Sequence, residues 1–265
     1  MNLDAYFKRI GFDGFAEANL VTLQTLHRLH IEAIPFENLD VLLGRRIDMT
    51  EEAVERKIVE GRRGGYCFEQ NTLFRGVLNA IGFKTEAFLG RIRRNVPAEV
   101  RTPLTHMVLR VTIDGTPWLA DVGFGSLGTP APVRLDSDAE QATPLEPRRI
   151  ARRGGALFHQ ARLGDEWVDL YEFTLDSPAP MDFVLGNWFS CTHPKANFVN
   201  TLVVTRVEGT TRLLINNREF IIRRLDGAAE KRDIGSHDEL IELLALRYGL
   251  TFPEGTVFRA PALVW

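Results

Sequence analysis

The sequence predicts an α+β protein with a helical N-terminal third, a β-rich middle and a C-terminal region of both kinds. Three observations predict this class. Residues 1–83 carry apolar side chains at helical spacing, and the residues from about 84 to 173 form short β-rich runs divided by glycine and proline. The last third holds consecutive strand-like runs before one amphipathic helix. With 265 residues, the chain can bury a sizeable core.

In the N-terminal third, one helix face is formed by Leu20, Leu23 and Leu26, with His27 beside it. A second helix is expected to begin after Thr50, because two glutamates follow in its first turn. Its buried side would hold Val54, Ile58 and Val59. Pro35 interrupts the helical pattern, which predicts a loop over residues 33–39.

In the middle of the chain, short strands are predicted over residues 85–89, 105–113, 117–122 and 167–173. Their close spacing indicates a small barrel or sandwich. Residues 137–147 contain acids and two prolines, so we expect an exposed loop. An arginine cluster follows at Arg148, Arg149, Arg152 and Arg153. It could meet an anionic ligand, but a solvated charged face is the favoured interpretation.

The last third predicts three antiparallel strands over residues 202–207, 212–215 and 219–225, joined by Glu-Gly and Asn-Asn turns. Ser236 then begins a helix that continues to about Tyr248. A boundary near residue 195 is weakly marked. The expected organisation is therefore a helical region at 1–83, a β-rich region at 84–194 and an α/β region at 195–265.

Composition narrows the classes of function. The chain is 45% hydrophobic and 25% charged, with a formal net charge of −3, so neither nucleic acid nor a membrane surface is expected as a partner. Two cysteines exclude a disulfide framework and a cysteine-rich zinc site. The start lacks a signal-peptide pattern, and no run of about eighteen apolar residues occurs. We expect a cytoplasmic protein.

The stretch from Arg62 to Gln70 is the strongest candidate for a site. Gly64 and Gly65 would allow a sharp turn, and Cys67 follows directly. Apolar residues then recur at helical spacing: Phe74, Val77, Leu78 and Ile81. Cys67 should thus lie at a helix N-terminus, where the macrodipole favours the nucleophilic thiolate. The alternative is a small buried hydrophobe without chemistry.

A cysteine nucleophile needs a base, and His106 has the most informative setting of the six histidines. Residues 105–113 alternate as a strand, and Asp114-Gly115 is a hairpin turn. With that register, His106 and Asp121 share one face as diagonal neighbours about 7–8 Å apart at Cα. An acid that orients an imidazole beside a thiol is the arrangement of nucleophilic acyl transfer. The alternative is an ordinary polar pair.

Two other patterns are set aside. His27 and His30 have helix-face spacing, but without a third ligand nearby a metal site is not expected. Residues 123–128 match G-x-G-x-x-G after a strand, yet Pro130 and Pro132 follow, so no helix can begin there. A nicotinamide or flavin site is therefore not predicted.

Together these segments resemble the arylamine N-acetyltransferases. The matching pieces, in the family's order, are Pro35–Asn38, Arg63–Asn71, Thr105–Met107, Asp121–Gly125 and Thr192–Pro194. The resemblance covers nearly the whole chain. It implies an N-terminal helical bundle, a central β-barrel and a C-terminal α/β lid around a papain- or transglutaminase-like catalytic core, with a Cys-His-Asp triad at Cys67, His106 and Asp121.

The resemblance also implies ping-pong acetyl transfer from acetyl-CoA, as co-substrate, to an arylamine, arylhydrazine or arylhydroxylamine, with no metal and no prosthetic group. The acceptor pocket would be lined by Phe36, Phe124 and Phe198. The coenzyme path would run along Thr105, Gly123, Gly125 and Gly128. Glu37 and Arg63 would support the turn, as an ion pair or through hydrogen bonds. A monomer or homodimer is expected.

Two alternatives stay open on the residues alone. A cysteine-dependent amidase or peptidase, or a transglutaminase-like acyltransferase, uses the same order of Cys, His and Asp. Fast thioester hydrolysis without an amine would favour it. A non-catalytic binding protein on the same scaffold would show only ordinary reactivity of Cys67 towards iodoacetamide.

Overall fold

The computed structural model describes residues 1–263 and 265 of the chain. Its helices are α1 (Leu3–Ile10), α2 (Leu20–Ala33), α3 (Leu39–Leu42), α4 (Glu51–Val54), α5 (Cys67–Ile81), α6 (Pro180–Thr192), α7 (Asn197–Asn200) and α8 (His237–Tyr248). Its strands are β1 (Phe36–Glu37), β2 (Lys84–Ile92), β3 (Leu104–Ile113), β4 (Thr116–Ala120), β5 (Val133–Arg134), β6 (Arg148–Arg153), β7 (Ala156–Leu163), β8 (Glu166–Phe173), β9 (Val203–Glu208), β10 (Thr211–Asn216), β11 (Glu219–Arg224) and β12 (Ala229–Asp233).

The N-terminal helices begin where the sequence places polar caps. The side chains of Asn19 and Thr50 accept hydrogen bonds from backbone N–H groups in the first turns of α2 and α4. The predicted apolar faces are buried, including Leu23, Leu26 and Ile58. One difference is that α4 continues as a π-helix over Glu55–Glu60, a form that sequence periodicity does not distinguish from an α-helix.

The middle of the chain forms a nearly closed, barrel-like antiparallel sheet of seven strands in the order β5-β4-β3-β2-β8-β7-β6. Its interior is apolar, with Phe88, Val108, Leu119, Ile150 and Leu170 buried. Strands β6 and β7 were not predicted, because charged residues interrupt their alternation. The arginine cluster lies on β6, and there the prediction of a solvated face is wrong for one member. Arg148 points inwards and is fully buried.

The C-terminal sheet has the order β1-β9-β10-β11-β12, and α8 covers it. The predicted meander and the helix after Ser236 are confirmed. Residues 36–37, predicted as part of a loop, instead form β1, and Phe36 pairs with Thr205 of β9. A two-residue strand carries no periodic signal, because its partner is supplied by a distant part of the chain.

The described residues contain no helix long and apolar enough to cross a membrane. Among the same residues, no group of three or more His, Cys, Asp or Glu side chains is suited to holding a metal ion.

Candidate active site

Cys67 is the first residue of α5, as the sequence predicts, and its side chain is buried at the end of the preceding turn. The backbone N–H of Tyr66 donates to Glu69 Oε2 at 3.1 Å, which fixes the first turn of the helix. Gly64 and Gly65 were predicted to allow a sharp turn, but the structure gives a different reason for glycine here. Neither has a positive φ, but a Cβ on Gly64 would lie 2.1 Å from the carbonyl oxygen of Pro35. Close approach of two backbone segments requires glycine here.

A buried ionic network supports this turn. Lys57 Nζ contacts Glu69 at 2.6 Å and Asp40 at 2.8 Å, while Arg63 contacts Glu37 at 2.7 Å and Asp40 at 3.2 Å. Burial opposes the charge of Asp40, but Lys57 and Arg63 outweigh it and lower the pKa of that carboxyl to about 2. The expected ion pair of Glu37 and Arg63 is therefore one part of a larger network that joins the turn to the segment after α2.

His106 and Asp121 are brought together by the predicted hairpin. Ile113 pairs with Thr116 and Leu109 with Ala120, in the predicted register, and Asp114 takes the left-handed conformation that such a turn needs. The ladder ends at Ala120, so Asp121 can turn towards the histidine. His106 Nε2 and Asp121 Oδ2 are 2.8 Å apart, and both side chains are buried.

Three further hydrogen bonds hold Asp121. Its Oδ1 accepts from Asn71 Nδ2 at 3.0 Å and from the backbone N–H of Gly123 at 2.9 Å. Its own backbone N–H donates to His27 Nε2 at 3.3 Å. Burial alone would raise the pKa of Asp121, but the charge of His106 and these donors outweigh it and hold that pKa well below its usual range. Asp121 is a fixed carboxylate.

The imidazole of His106 lies between this carboxylate and the thiol. Burial alone would lower its pKa, but the charge and hydrogen bond of Asp121, with a contribution from Cys67, raise the pKa of His106 to about 10. Nε2 is engaged by Asp121, which leaves the other ring nitrogen for the Cys67 side chain. The Cys67 thiol also lies 3.5 Å from the carbonyl oxygen of Thr105. Asp121 therefore holds His106 in place, and the nearby Cys67 contributes to the raised pKa of that imidazole.

His27 and His30 of α2 both form hydrogen bonds within the protein. His30 accepts a hydrogen bond from the Tyr6 hydroxyl at 2.9 Å and donates to Gln70 Oε1 at 2.6 Å. Gln70 Nε2 in turn donates to the carbonyl oxygens of Pro35 and Gly65. Burial lowers the pKa of His30 to about 3, so its ring is neutral at neutral pH. Through Gln70, His30 therefore helps to support the turn before Cys67.

Aromatic side chains cluster around Tyr66, the residue before Cys67, and around the His106 imidazole. The ring centroids of Phe36 and Phe198 are 5.8 Å apart, and Tyr66 meets Phe198 edge-on at 5.4 Å. Phe124 meets the His106 ring edge-on at 5.2 Å, with Tyr171 on another side of that ring. The structure thus brings Phe36 and Phe198 into one cluster and puts Phe124 against the base.

The glycine-rich segment after Asp121 packs directly on the catalytic helix. A Cβ on Gly123 would lie 2.7 Å from the Cα of Cys67, and a Cβ on Gly125 would lie 3.4 Å from the Phe36 ring. Gly128 N donates to the carbonyl oxygen of Gly125 at 2.9 Å, which closes a turn. The segment then runs irregularly to β5, so no helix begins after Gly128.

Sequence reasoning missed Asn71, although it lies one helical turn beyond Cys67. Its Nδ2 donates to Asp121 Oδ1 and to the carbonyl oxygen of Met107 at 2.8 Å, and its Oδ1 accepts from the N–H of Val122 at 3.1 Å. The signal that could have found it is the i, i+4 spacing, which puts Cys67 and Asn71 on one helix face.

Comparison with known proteins agrees with this geometry. A family model described as N-acetyltransferase matches residues 19–257. The arylamine N-acetyltransferase of Escherichia coli K12 is 37% identical over 249 residues, covering 94% of this chain and 88% of the relative.

Solved structures give the same result. The arylamine N-acetyltransferase of Salmonella typhimurium aligns with a TM-score of 0.90 at 36% identity, covering 98% of this chain and 96% of that one. The Mycobacterium marinum arylamine N-acetyltransferase in complex with CoA aligns with a TM-score of 0.90 at 38% identity, covering 94% and 92%. These likenesses confirm the predicted α+β architecture. They also extend over nearly all of the sequence, and the chain belongs to the arylamine N-acetyltransferase family.

Proposed function

We propose that this protein transfers an acetyl group from acetyl-CoA to arylamines, arylhydrazines or arylhydroxylamines through an acetyl-Cys67 intermediate. The observation that carries the proposal is the buried pair of His106 and Asp121, with 2.8 Å between Nε2 and Oδ2, together with the buried Cys67 thiol at the start of α5. That geometry supplies a nucleophile, a base and the group that orients the base. The family membership supports the same reaction.

In the first half-reaction, the Cys67 thiolate attacks the thioester carbonyl of acetyl-CoA. A sulfur–carbon bond forms, the bond to the coenzyme sulfur breaks, and His106 gives its proton to the departing thiolate. The backbone N–H of Cys67, at the helix N-terminus, is a suitable donor to the oxyanion, with a second donor near Thr105. One thioester replaces another, so the step is nearly neutral.

In the second half-reaction, the amine nitrogen attacks the acetyl-thioester carbon. The carbon–sulfur bond breaks, the product carries the new amide, and the proton of the amine passes to His106. Asp121 keeps the imidazole oriented throughout. This division of roles assigns Cys67, His106 and Asp121 as the catalytic residues.

The acceptor would bind among Phe36, Phe124 and Phe198. Aromatic walls suit an aromatic amine, because offset and edge contacts between rings add to the burial of apolar area. The contacts of Phe36 with Phe198 and of Phe124 with His106 support this position. A relative from Salmonella typhimurium is named as both an arylamine N-acetyltransferase and an N-hydroxyarylamine O-acetyltransferase, which supports the hydroxylamine as an acceptor.

Acetyl-CoA would approach along Thr105, Gly123, Gly125 and Gly128. Glycine permits close approach of a ligand to the backbone, and the Thr105 carbonyl oxygen lies next to the thiol. The Mycobacterium marinum relative solved with CoA supports a coenzyme site in this fold. Both cysteines are free thiols, which supports the cytoplasm as the compartment. We propose that the protein acts as a monomer or homodimer.

The test is intact-protein mass after brief incubation with acetyl-CoA alone, followed by an arylhydrazine. We expect a gain of one acetyl group that disappears when the hydrazine is added. The chain offers a matched control, because Cys191→Ala should still be acetylated whereas Cys67→Ala should not. Release of CoA without any adduct, at a rate independent of amine, would instead indicate a hydrolase and contradict the proposal.

A further inference from the structure

Two arginines from different sheets meet at one carboxylate. Arg148 lies on β6 of the seven-stranded sheet, and Arg212 lies on β10 of the C-terminal sheet. Arg212 holds Glu146 through both oxygens, with Nε to Oε1 at 3.1 Å and Nη2 to Oε2 at 2.7 Å. Arg148 Nη2 contacts Oε2 at 3.0 Å. The Glu146 clamp, as we name these three residues, thus joins the two sheets.

The same guanidinium groups also hold the end of the glycine-rich segment. Arg148 Nη2 donates to the carbonyl oxygens of Leu127 and Gly128, each at 3.1 Å. Arg212 Nη2 donates to the carbonyl oxygen of Gly128 at 3.0 Å. Two cations therefore fix the backbone at the point where residues 123–128 end.

Both arginines are buried, at 0% and 2% exposure for Arg148 and Arg212. Burial works against the charge of Glu146, but the two arginines lower the pKa of its carboxyl to about 2. Burial and the neighbouring Arg212 lower the pKa of Arg148 to about 10. All three groups are charged at neutral pH, so the contacts are charge-assisted hydrogen bonds in a water-poor setting.

On the side of the C-terminal sheet, the segment that the clamp holds is not fully packed. A crevice lies between it and the C-terminal sheet, lined by Phe36, Gly125, Gly128, Val207 and Arg212 among others. The segment also carries Phe124, whose ring meets His106 and Tyr171. A shift of its backbone into the crevice would move Phe124 relative to the base and Gly125 relative to Phe36.

We propose that the Glu146 clamp positions residues 123–128 and thereby sets which aromatic acceptors fit beside the acetylated cysteine. The inference rests on the proposed function, since it concerns the second half-reaction of that mechanism. Glu146, Arg148 and Arg212 are positioning residues: they lie behind the segment and act through its backbone. Loosening them should change acceptor selectivity more than the acetylation of Cys67.

The test measures the two half-reactions separately in Arg212→Met and Glu146→Gln. The first is the burst of CoA release without amine, and the second is the reaction of the acetyl-enzyme with a series of para-substituted anilines of increasing size. We expect the first, measured at saturating acetyl-CoA so that altered coenzyme binding along Gly125 and Gly128 does not enter it, to stay within about twofold of the unaltered protein. We expect the ratio of kcat/KM for small and bulky anilines to change about tenfold.

The double variant should change this ratio no more than either single variant, because both substitutions break the same clamp. Arg153→Met is the matched control. It removes another bidentate arginine–carboxylate pair, the solvent-exposed pair with Asp169, and should leave the ratio unchanged. If Arg212→Met does not fold, the isosteric Glu146→Gln still decides the question.

An equal fall in both half-reactions, or an unchanged selectivity ratio, would overturn the inference while leaving the proposed function intact. Failure of the proposed function looks different, since the unaltered protein would then form no acetyl-enzyme at all.

Discussion

At the scale of single residues, the site depends on two buried charges that stabilise each other. The pKa of His106 is raised to about 10 in the folded protein, against about 6.5 for an ordinary histidine. Its contribution to stability is therefore complete below about pH 6.5 and is lost as the pH rises through about 10. The pKa of Asp121 is lowered, so its contribution is present above about pH 4 and is lost in acid.

Asp121→Asn should separate this charge effect from the fold. Without the carboxylate, burial dominates, and the pKa of His106 should fall from about 10 to near or below 6.5. The acetylation of Cys67 should slow by about 10³-fold or more, because the imidazole is no longer held in its orientation. NMR titration of the imidazole gives the pKa and CoA release gives the rate. An unchanged titration midpoint would show that Asp121 is not the controlling charge.

His159 is a buried histidine whose pKa is lowered where that of His106 is raised, and the proposed reaction does not use it. It is fully buried beside Tyr171, neither ring nitrogen has a hydrogen-bond partner within the described part of the chain, and burial holds its pKa well below the usual value. With a lowered pKa, the folded protein loses stability as the pH falls below about 6.5, because the unfolded chain then binds a proton that the buried ring does not.

His159→Phe should therefore flatten the acid side of the stability profile. Between pH 6 and 5, we expect the variant to lose about 1 kcal/mol less free energy of unfolding than the unaltered protein. At pH 8, its stability should be equal or higher, since two unpaired polar atoms are replaced by apolar ones. Urea unfolding at several pH values measures both effects. Parallel profiles for the two proteins would contradict the assignment of a neutral buried ring.

At the scale of elements, the site requires that α5 and the segment after β4 lie in van der Waals contact. Asn71 binds Asp121 and the backbone of β3, and Gly123 touches the first residue of the helix. Cys67 and Asp121 are therefore held relative to each other by the packing of two elements.

Gly123→Ala tests this contact with a single methyl group. Its Cβ would meet the Cα of Cys67 at 2.7 Å and Nδ2 of Asn71 at 2.9 Å, both of which belong to the catalytic helix. We expect the helix to shift, with a loss of about 10²-fold in Cys67 acetylation and a loss of about 1–3 kcal/mol in stability. Gly235→Ala is the control, because its nearest atom would be the flexible Glu239 carboxylate at 3.4 Å. Equal behaviour of the two variants would exclude the close contact.

Some secondary-structure elements could be predicted from the sequence, and others could not. The hairpin of β3 and β4 was predictable, because a strong turn and strict alternation fix its register locally. The strands β6 and β7 were missed because polar residues interrupt their alternation. The helix α6 was missed as well, and it buries Gly186, Asn187 and Ser190 while large apolar side chains such as Trp188 are exposed. Burial of Arg148 could not be predicted, because the carbonyl oxygens of Leu127 and Gly128 are brought to it only by the fold.

At the scale of the whole molecule, the predicted division into 1–83, 84–194 and 195–265 stays a prediction, and the contacts across it are extensive. Strand β1 from the N-terminal region is an edge of the C-terminal sheet. Leu39 and Leu42 belong to the same apolar cluster as Leu240. Phe36 and Phe198 come from the N-terminal and C-terminal regions, so their spacing depends on this junction.

Asn38 is the polar centre of the junction. Its Nδ2 donates to the carbonyl oxygens of Phe198 and Thr201, each at 2.8 Å, and its Oδ1 accepts from the N–H of Val203 at 2.8 Å. Asn38 is only 2% exposed, so water cannot readily replace these hydrogen-bond partners. One side chain thus satisfies three backbone groups that lie more than 150 residues away along the chain.

Asn38→Ala should weaken stability and acceptor binding together. Three partners lose their hydrogen bonds, which should lower the free energy of unfolding by about 2–3 kcal/mol. The spacing of Phe36 and Phe198 should relax, raising KM for an arylamine while the burst of CoA release changes little. Asn200→Ala is the matched control, since Asn200 binds only carbonyls within six residues and should cost less than about 1 kcal/mol. Urea unfolding and steady-state kinetics measure both effects. Loss of stability with an unchanged KM would mean that the junction holds the chain together without shaping the acceptor pocket.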